Sequence, residues 1–178
     1  LTKAGTILAK VSPMADISQI LGELPGTEEI HIISVEHECK ELMLKITGSS
    51  VDEPRIHCVN LLKNREQHFE FLKSEEGEAT AAYSSEEELE GIVQGQHYLY
   101  EPNKSISKGG AFRLISQKYK VQKISPATHL YLSSDLIGEF PGKCFRIIEA
   151  APFNKRTIGE WKKRYPRASV SAKNFPLT

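Results

Sequence analysis

The sequence contains no two glycines separated by a single residue, no lysine-bearing phosphate loop, no C-x-x-C and no H-E-x-x-H. The first absence removes both the dinucleotide fingerprint and the glycine-rich loop of an S-adenosylmethionine site. The others remove phosphate-loop NTPases, thioredoxin-type redox motifs and zinc-dependent proteases. No apolar run approaches the ~18 residues of a membrane span, and the N-terminus lacks the basic and apolar stretches of a signal peptide. Cysteine is sparse and odd in number: Cys39, Cys58 and Cys144 read as reduced thiols of a cytoplasmic protein, mostly buried.

What the chain does have is charge, divided by sign. Residues 1–100 hold 8 Lys and Arg against 18 Asp and Glu, a difference of −10, and residues 101–178 hold 15 against 5, a difference of +10. A net charge of zero over 178 residues conceals this. Such asymmetry suggests an anion-binding module, most often for nucleic acid, joined to a neutralising or partner-facing one. Hydrophobic residues at 39% and charged residues at 26% are those of an ordinary soluble domain.

The first half reads as mixed strand and helix. Thr6 to Val11 is a strand, and Ser12 as N-cap with Pro13 at the first helical position opens an amphipathic helix through Ile17, Ile20, Leu21 and Leu24. Glu29 to Val35 and Glu41 to Ile46 are strands around the turn at 36–40, and Arg55 to Leu61 and His68 to Lys73 form a second hairpin. The β-α-β-β order is half of a ferredoxin-like sandwich with antiparallel sheet, which assigns residues 1–73 to a ferredoxin-like portion. Residues 74–96, with seven glutamates, read as a solvated acidic linker containing one short helix from Ser84 or Ser85.

The remaining residues, 97–178, form the basic portion. His97 to Asn103 leads into a helix over 104–120, with Phe112, Ile115 and Tyr119 on one face and Lys104, Lys108, Lys118 and Lys120 outside. A β-α-β-α-β run follows: strands at Thr128 to Leu132, Asp135 to Phe140, Cys144 to Ala150 and Ala168 to Lys173, and a helix capped by Asn154. That helix buries Ile158, Trp161 and Tyr165 and leaves Lys155, Arg156, Lys162, Lys163 and Arg164 exposed. Lys108-Gly109-Gly110 either brings backbone close to a phosphate or ends a helical turn.

Metal and catalytic sites are not expected. The pairs His37-Glu38-Cys39 and His57-Cys58 sit on strands, where adjacent side chains point to opposite faces, and no second pair has zinc-site spacing. Cys39 or Cys144 with His129 would form a nucleophile pair, but nothing local activates either thiol.

Several stretches resemble the C-terminal part of bacterial class I S-adenosylmethionine-dependent methyltransferases with a THUMP-like domain: Lys10 to Ile17, Glu38 to Leu42, Tyr98 to Asn103, Thr128 to Tyr131, Phe140 to Gly142 and Asn174 to Leu177. The resemblance spans nearly the whole chain. It implies a methyltransferase domain first, then a ferredoxin-like segment, then a THUMP-like domain whose label implies RNA binding. On that reading the chain is a fragment: residues 1–12 hold the last strand of the missing methyltransferase domain, and the THUMP-like domain is cut at its C-terminus. The cofactor S-adenosylmethionine belongs to the parent protein and not to these residues.

The expectation is therefore an α+β, non-catalytic fragment that holds RNA, such as tRNA, for a methyl transfer performed elsewhere. Lys155, Arg156, Lys162, Lys163 and Arg164 are the main phosphate contacts, extended by Lys104, Lys108, Lys118 and Lys120, with Tyr119, Tyr131, Trp161 and Tyr165 as interleaved aromatics. Two alternatives stand beside it. In one, the basic half docks on the acidic half or on the methyltransferase domain as an interaction or dimerisation module; in the other, an enzyme for a small anion uses a pocket where Arg113, Arg146 or His129 converge.

Overall fold

The computed structural model describes residues 5–92 and 97–172. Its N-terminal sheet is built from β1 (Thr6–Val11), β2 (Thr27–Val35), β3 (Glu38–Thr47), β4 (Arg55–Leu61) and β5 (Glu66–Leu72), in the order β1-β3-β2-β4-β5. All neighbours are antiparallel except β2 and β4, which run parallel. Helix α1 (Ile17–Glu23) connects β1 to β2, and β3 fills the space between those two strands, giving the split β-α-β of a ferredoxin-like unit. The β2–β3 turn is two residues long, with Glu36 at φ 49 and His37 at φ 68, the double left-handed geometry that suits a twisted hairpin.

Side chains alternate across this sheet. One face carries Ile30, Ile32, Leu42, Leu44, Ile56, Cys58, Phe69 and Phe71, all buried. Each aliphatic or aromatic side chain fully buried there stabilises the fold by about 1.5–3 kcal/mol. The other face carries Glu29, His31, Ile33, Met43, Lys45, His57 and Val59, all only partly buried.

The inner face is covered largely by residues far along the chain. Helix α4 (Lys104–Gly109) lies on β2, β3 and β4. A Cβ added at Gly109 would come within 3.1 Å of the Cys58 sulfur and 3.2 Å of the Ile32 side chain. Helix α5 (Phe112–Tyr119) adds the buried Leu114 and Ile115. One core cluster thus runs from Ile30 to Phe140 and joins the acidic and basic halves.

A second, smaller sheet has the order β7-β8-β6-β9, from β6 (Tyr98–Pro102), β7 (Gln122–Lys123), β8 (Tyr131–Ser133) and β9 (Gly142–Arg146). It is antiparallel throughout, in place of the β-α-β-α-β alternation expected of this portion. Asp135 to Phe140 forms no strand, because its backbone serves the buried Tyr100: the Tyr100 hydroxyl donates to Asp135 O at 3.0 Å and accepts from Ile137 N at 2.8 Å. Residues 168–172 form no strand either, and Lys173 lies outside the described residues. Among the described residues, no helix is long and apolar enough to cross a membrane.

Four further expectations change. The α1 N-cap is Asp16, whose carboxylate accepts from Ser18 N and Gln19 N; Ser12 closes a turn before it. The single helix over 104–120 is two, broken where Gly110 takes φ +83. Residues 74–83 are anchored at points: α2 (Lys73–Glu78) runs from β5 and Ala79 and Ala81 are buried, while Ser74, Gly77, Glu78, Thr80, Ala82 and Tyr83 stay exposed. Cys144 is exposed, whereas Cys58 is buried. The short helix after Ser85 does form, as α3 (Glu86–Glu90), with Ser85 as its N-cap.

Glu76 ties this acidic segment to α5. Helix α5 has no capping side chain of its own at Ala111, and the Glu76 carboxylate accepts instead from Arg113 N at 2.9 Å and Leu114 N at 2.8 Å. Glu76→Ala should therefore lower stability by about 1 kcal/mol in urea unfolding, as loss of a local cap does. Gly142 is required by close approach: a Cβ there would overlap Glu101 O and sit 2.8 Å from Pro102 Cα. Gly142→Ala should cost ~1–3 kcal/mol and lower the thermal midpoint accordingly.

Candidate functional site

The basic residues divide into two groups with different surroundings. Helix α6 (Lys155–Arg164) is capped by Asn154, which accepts from Thr157 N at 2.9 Å. It buries no residue fully: Ile158, Trp161 and Tyr165 are half-buried, while Lys155, Arg156, Lys162, Lys163 and Arg164 are exposed. Arg156 pairs with Glu160 at 3.1 Å, and Arg164 reaches Glu149 at 2.6 Å. Across residues 142–172 there are eight cations (Lys143, Arg146, Lys155, Arg156, Lys162, Lys163, Arg164 and Arg167) and two carboxylates, Glu149 and Glu160. All eight cations are exposed.

The second group is more integrated. Lys118 pairs with Glu75 at 3.8 Å, donates to Glu70 O at 3.4 Å and lies 5.1 Å above the Phe69 ring. Lys104 pairs with Glu101 at 3.7 Å. Lys120 ends α5 in a left-handed conformation beside an open cleft shared with Glu88 and Gln122. Lys108 lines a cleft of about 280 Å³ with Asp16, Lys73, Glu76, Gly109 and Gly110, where two carboxylates offset its charge. The glycine pair there seats α4 on the sheet and ends it, which accounts for both residues without a phosphate.

Of the interleaved aromatics, Tyr131 is fully buried and its hydroxyl donates to Phe112 O at 2.9 Å. Tyr119 packs against Phe69 and Phe140. Tyr131 therefore cannot stack a base, and Tyr119 is half-buried at the edge of a cleft with Arg65, His68 and Pro141. Exposed rings near the cations lie instead at Phe145 and Phe153, 48% and 64% exposed, which hydrophobic periodicity alone does not mark.

The small-anion pocket does not assemble. His129 stacks on Phe112 with ring centroids 3.8 Å apart and lines a cleft with Lys104, Ser107 and Thr128. Arg113 pairs with Glu76 at 3.4 Å, Arg146 lies in β9, and neither lines the His129 cleft. Of the two candidate thiols, burial pushes that of Cys39 up, away from thiolate, and Cys144 lies exposed in β9. At the β1–α1 connection, where a nucleotide site would present free amides, Asp16 already occupies them at 2.7 and 3.0 Å.

A cluster that the sequence reading missed lies on the outer face of the five-stranded sheet. His57 and Cys58 do point to opposite faces, as strand geometry requires, but the parallel register sets His57 beside His31. The two imidazoles stack at 4.5 Å with an interplanar angle of 8°. Glu29, two residues before His31 on the same face, places Oε2 2.9 Å from His31 Nε2 and 3.9 Å from His57 Nε2. Lys45 holds its other oxygen at 2.8 Å, and this contact leads the effects that keep the Glu29 carboxyl below its usual range. The signal available in sequence was the E-x-H of β2 together with a lone His in a second strand; only the pairing of β2 with β4 joins them.

His37 occupies the hairpin turn, half-buried against Asn60, and burial lowers its pKa below 6.5. The folded chain thus resists a proton that the unfolded chain accepts, so stability should fall as pH drops from about 7.5 to 5.5. Carboxylates held low, such as Glu29 and Glu88, act in a lower window, as pH falls below their ordinary value of 4.5. Urea midpoints across pH 5.5–7.5 should show a shallower slope for His37→Asn, which tolerates the left-handed backbone.

Residues 98–141 match the family described as a ferredoxin-like domain. That span lies downstream of the split β-α-β of residues 1–73, within the portion the sequence reading assigned to a THUMP-like domain. Comparison with curated proteins yields no match. Among solved structures, one described as a "putative methyltransferase" from Porphyromonas gingivalis W83 superimposes with a TM-score of 0.85 and 32% sequence identity, covering 98% of this chain and 42% of that one. The chain thus spans less than half of that protein's length. It carries a ferredoxin-like domain and shares the fold of part of a protein described as a methyltransferase.

Proposed function

We propose that this chain is the non-catalytic part of an S-adenosylmethionine-dependent methyltransferase and holds an RNA substrate, such as tRNA, through the cationic segment 142–172. The observation that carries the reading is the exposure of eight cations against two carboxylates there, each carboxylate already matched to an arginine of α6. Phosphates are the polyanion that such a surface pairs, and Phe145, Phe153 and the half-buried Trp161 offer rings for unpaired bases. Lys155, Arg156, Lys162, Lys163 and Arg164 make the main contacts. Lys104, Lys108 and Lys120 extend them, and Lys118 contributes least because it is already held by Glu75. On this reading, S-adenosylmethionine and the methyl transfer belong to the portion of the protein that precedes these residues, and the THUMP-like label describes what the C-terminal portion does.

The test is binding of labelled tRNA and of a random RNA across a salt series. If about six phosphates are neutralised on single-stranded RNA, log affinity falls with log salt at a slope of roughly −4. Reversing four charges together (Lys155→Glu, Arg156→Glu, Lys162→Glu, Lys163→Glu) should weaken binding at least about tenfold and flatten the slope. Equal affinity of wild type and variant, or no salt dependence, would end the proposal.

A further inference from the structure

We infer that Glu29, His31 and His57 form a binding site for a divalent transition-metal ion of the zinc type, on the outer face of the five-stranded sheet. The inference is independent of RNA binding. Three candidate ligand atoms, one from each residue, lie within 4.8 Å of one another. Around an ion with bonds of about 2.0–2.1 Å in tetrahedral array, ligand atoms stand roughly 3.3 Å apart, between the 2.9 and 3.9 Å observed from Glu29 to the two imidazoles. The two imidazoles, stacked at 4.5 Å with an interplanar angle of 8°, tilt toward one another to aim both Nε2 lone pairs at the ion.

Three features make this more than a chance meeting of polar groups. His57 Nε2 is buried and has no hydrogen-bond partner. The other nitrogen of the same ring, Nδ1, lies 3.2 Å from Glu70 Oε2 on β5, the next strand in register. A carboxylate at Nδ1 keeps the ring proton there and leaves the Nε2 lone pair bare, as in carboxylate–histidine–metal arrangements. Thirdly, Lys45 donates to Glu29 Oε1, so that Oε2 is the oxygen left to face the imidazoles.

Binding requires a defined exchange. His31 Nε2–H donates to Glu29 Oε2 in the absence of the ion. On binding, the ring proton of His31 moves to Nδ1, that hydrogen bond breaks, and Nε2 and Oε2 each form a bond to the ion. Charge around the site is mixed: Lys45 and Arg55 stand beside Glu28, Glu29 and Glu70. With side chains 23–35% exposed, the three ligands leave the fourth position to water.

Cobalt(II) titration of the metal-free protein tests this, because tetrahedral cobalt has visible d–d absorption. The expected result is one ion per chain, displaced by zinc, with d–d bands and no thiolate charge-transfer band, and a zinc-dependent rise in thermal midpoint. His57→Ala and His31→Ala should abolish the d–d bands, and Glu70→Gln should weaken affinity about tenfold or more, as loss of an orienting partner does. Wild-type protein that binds no cobalt at micromolar concentration overturns the inference, whether or not the variants fold. So does a folded His31→Ala or His57→Ala variant that binds as wild type does. A thiolate band in wild type that disappears in Cys144→Ser would assign the ion to the exposed cysteine and overturn it equally.

Discussion

The inner face of the five-stranded sheet must be kept from water, and most of the molecule follows from how the chain achieves this. Ile30, Ile32, Leu42, Leu44, Ile56 and Phe71 are at or near zero exposure in a cluster closed by α4, by Leu114 and Ile115 of α5, and by Ile17, Ile20 and Leu21 of α1. The acidic and basic halves are therefore not two independent bodies. Charge divides the chain by sign, but hydrophobic burial, which is proportional to apolar area and indifferent to charge, joins it.

Polar groups at this seam are placed to suit the union. Gln67 on β5 donates to Gly142 O at 3.1 Å and accepts from Asn60 Nδ2 at 2.8 Å, while Asn60 accepts from His37 N at 3.0 Å. Cys58 donates to Ser105 O at 3.3 Å. Left unpaired in a dry interior, each of these groups would cost about 1–3 kcal/mol, so each fixes the position of its partner segment. Glu76 does the same for α5 from a segment whose composition alone suggests solvent.

Beyond this core, the molecule presents two surfaces of opposite character. The outer face of the sheet is ordered by strand register, which holds the His31 and His57 rings parallel and Glu29 beside them. The segment from Lys143 to Ala172 buries little: β9 is held by its ladder to β6, and α6 by its Asn154 cap and the Arg164–Glu149 pair. A helix that buries no residue fully is free to carry many cations, because no desolvation penalty attaches to them.

Local patterns in the sequence determined the strands β1 to β5, the short helix after Ser85 and the Asn154 cap, since alternation, helical spacing and capping chemistry all act within a few residues. The exposure of the α6 cations was legible for the same reason: a strongly polar face next to one apolar stripe has only one way to lie. Only the tertiary structure decided that Tyr131 is core, that Glu76 caps α5, and that His31 meets His57. Each of those outcomes depends on a residue far away in sequence: Phe112 for the Tyr131 hydroxyl, Arg113 and Leu114 for Glu76, the β2–β4 pairing for the histidines. Contacts between distant segments are set by shape and register when the chain closes on itself, and no short-range pattern encodes them.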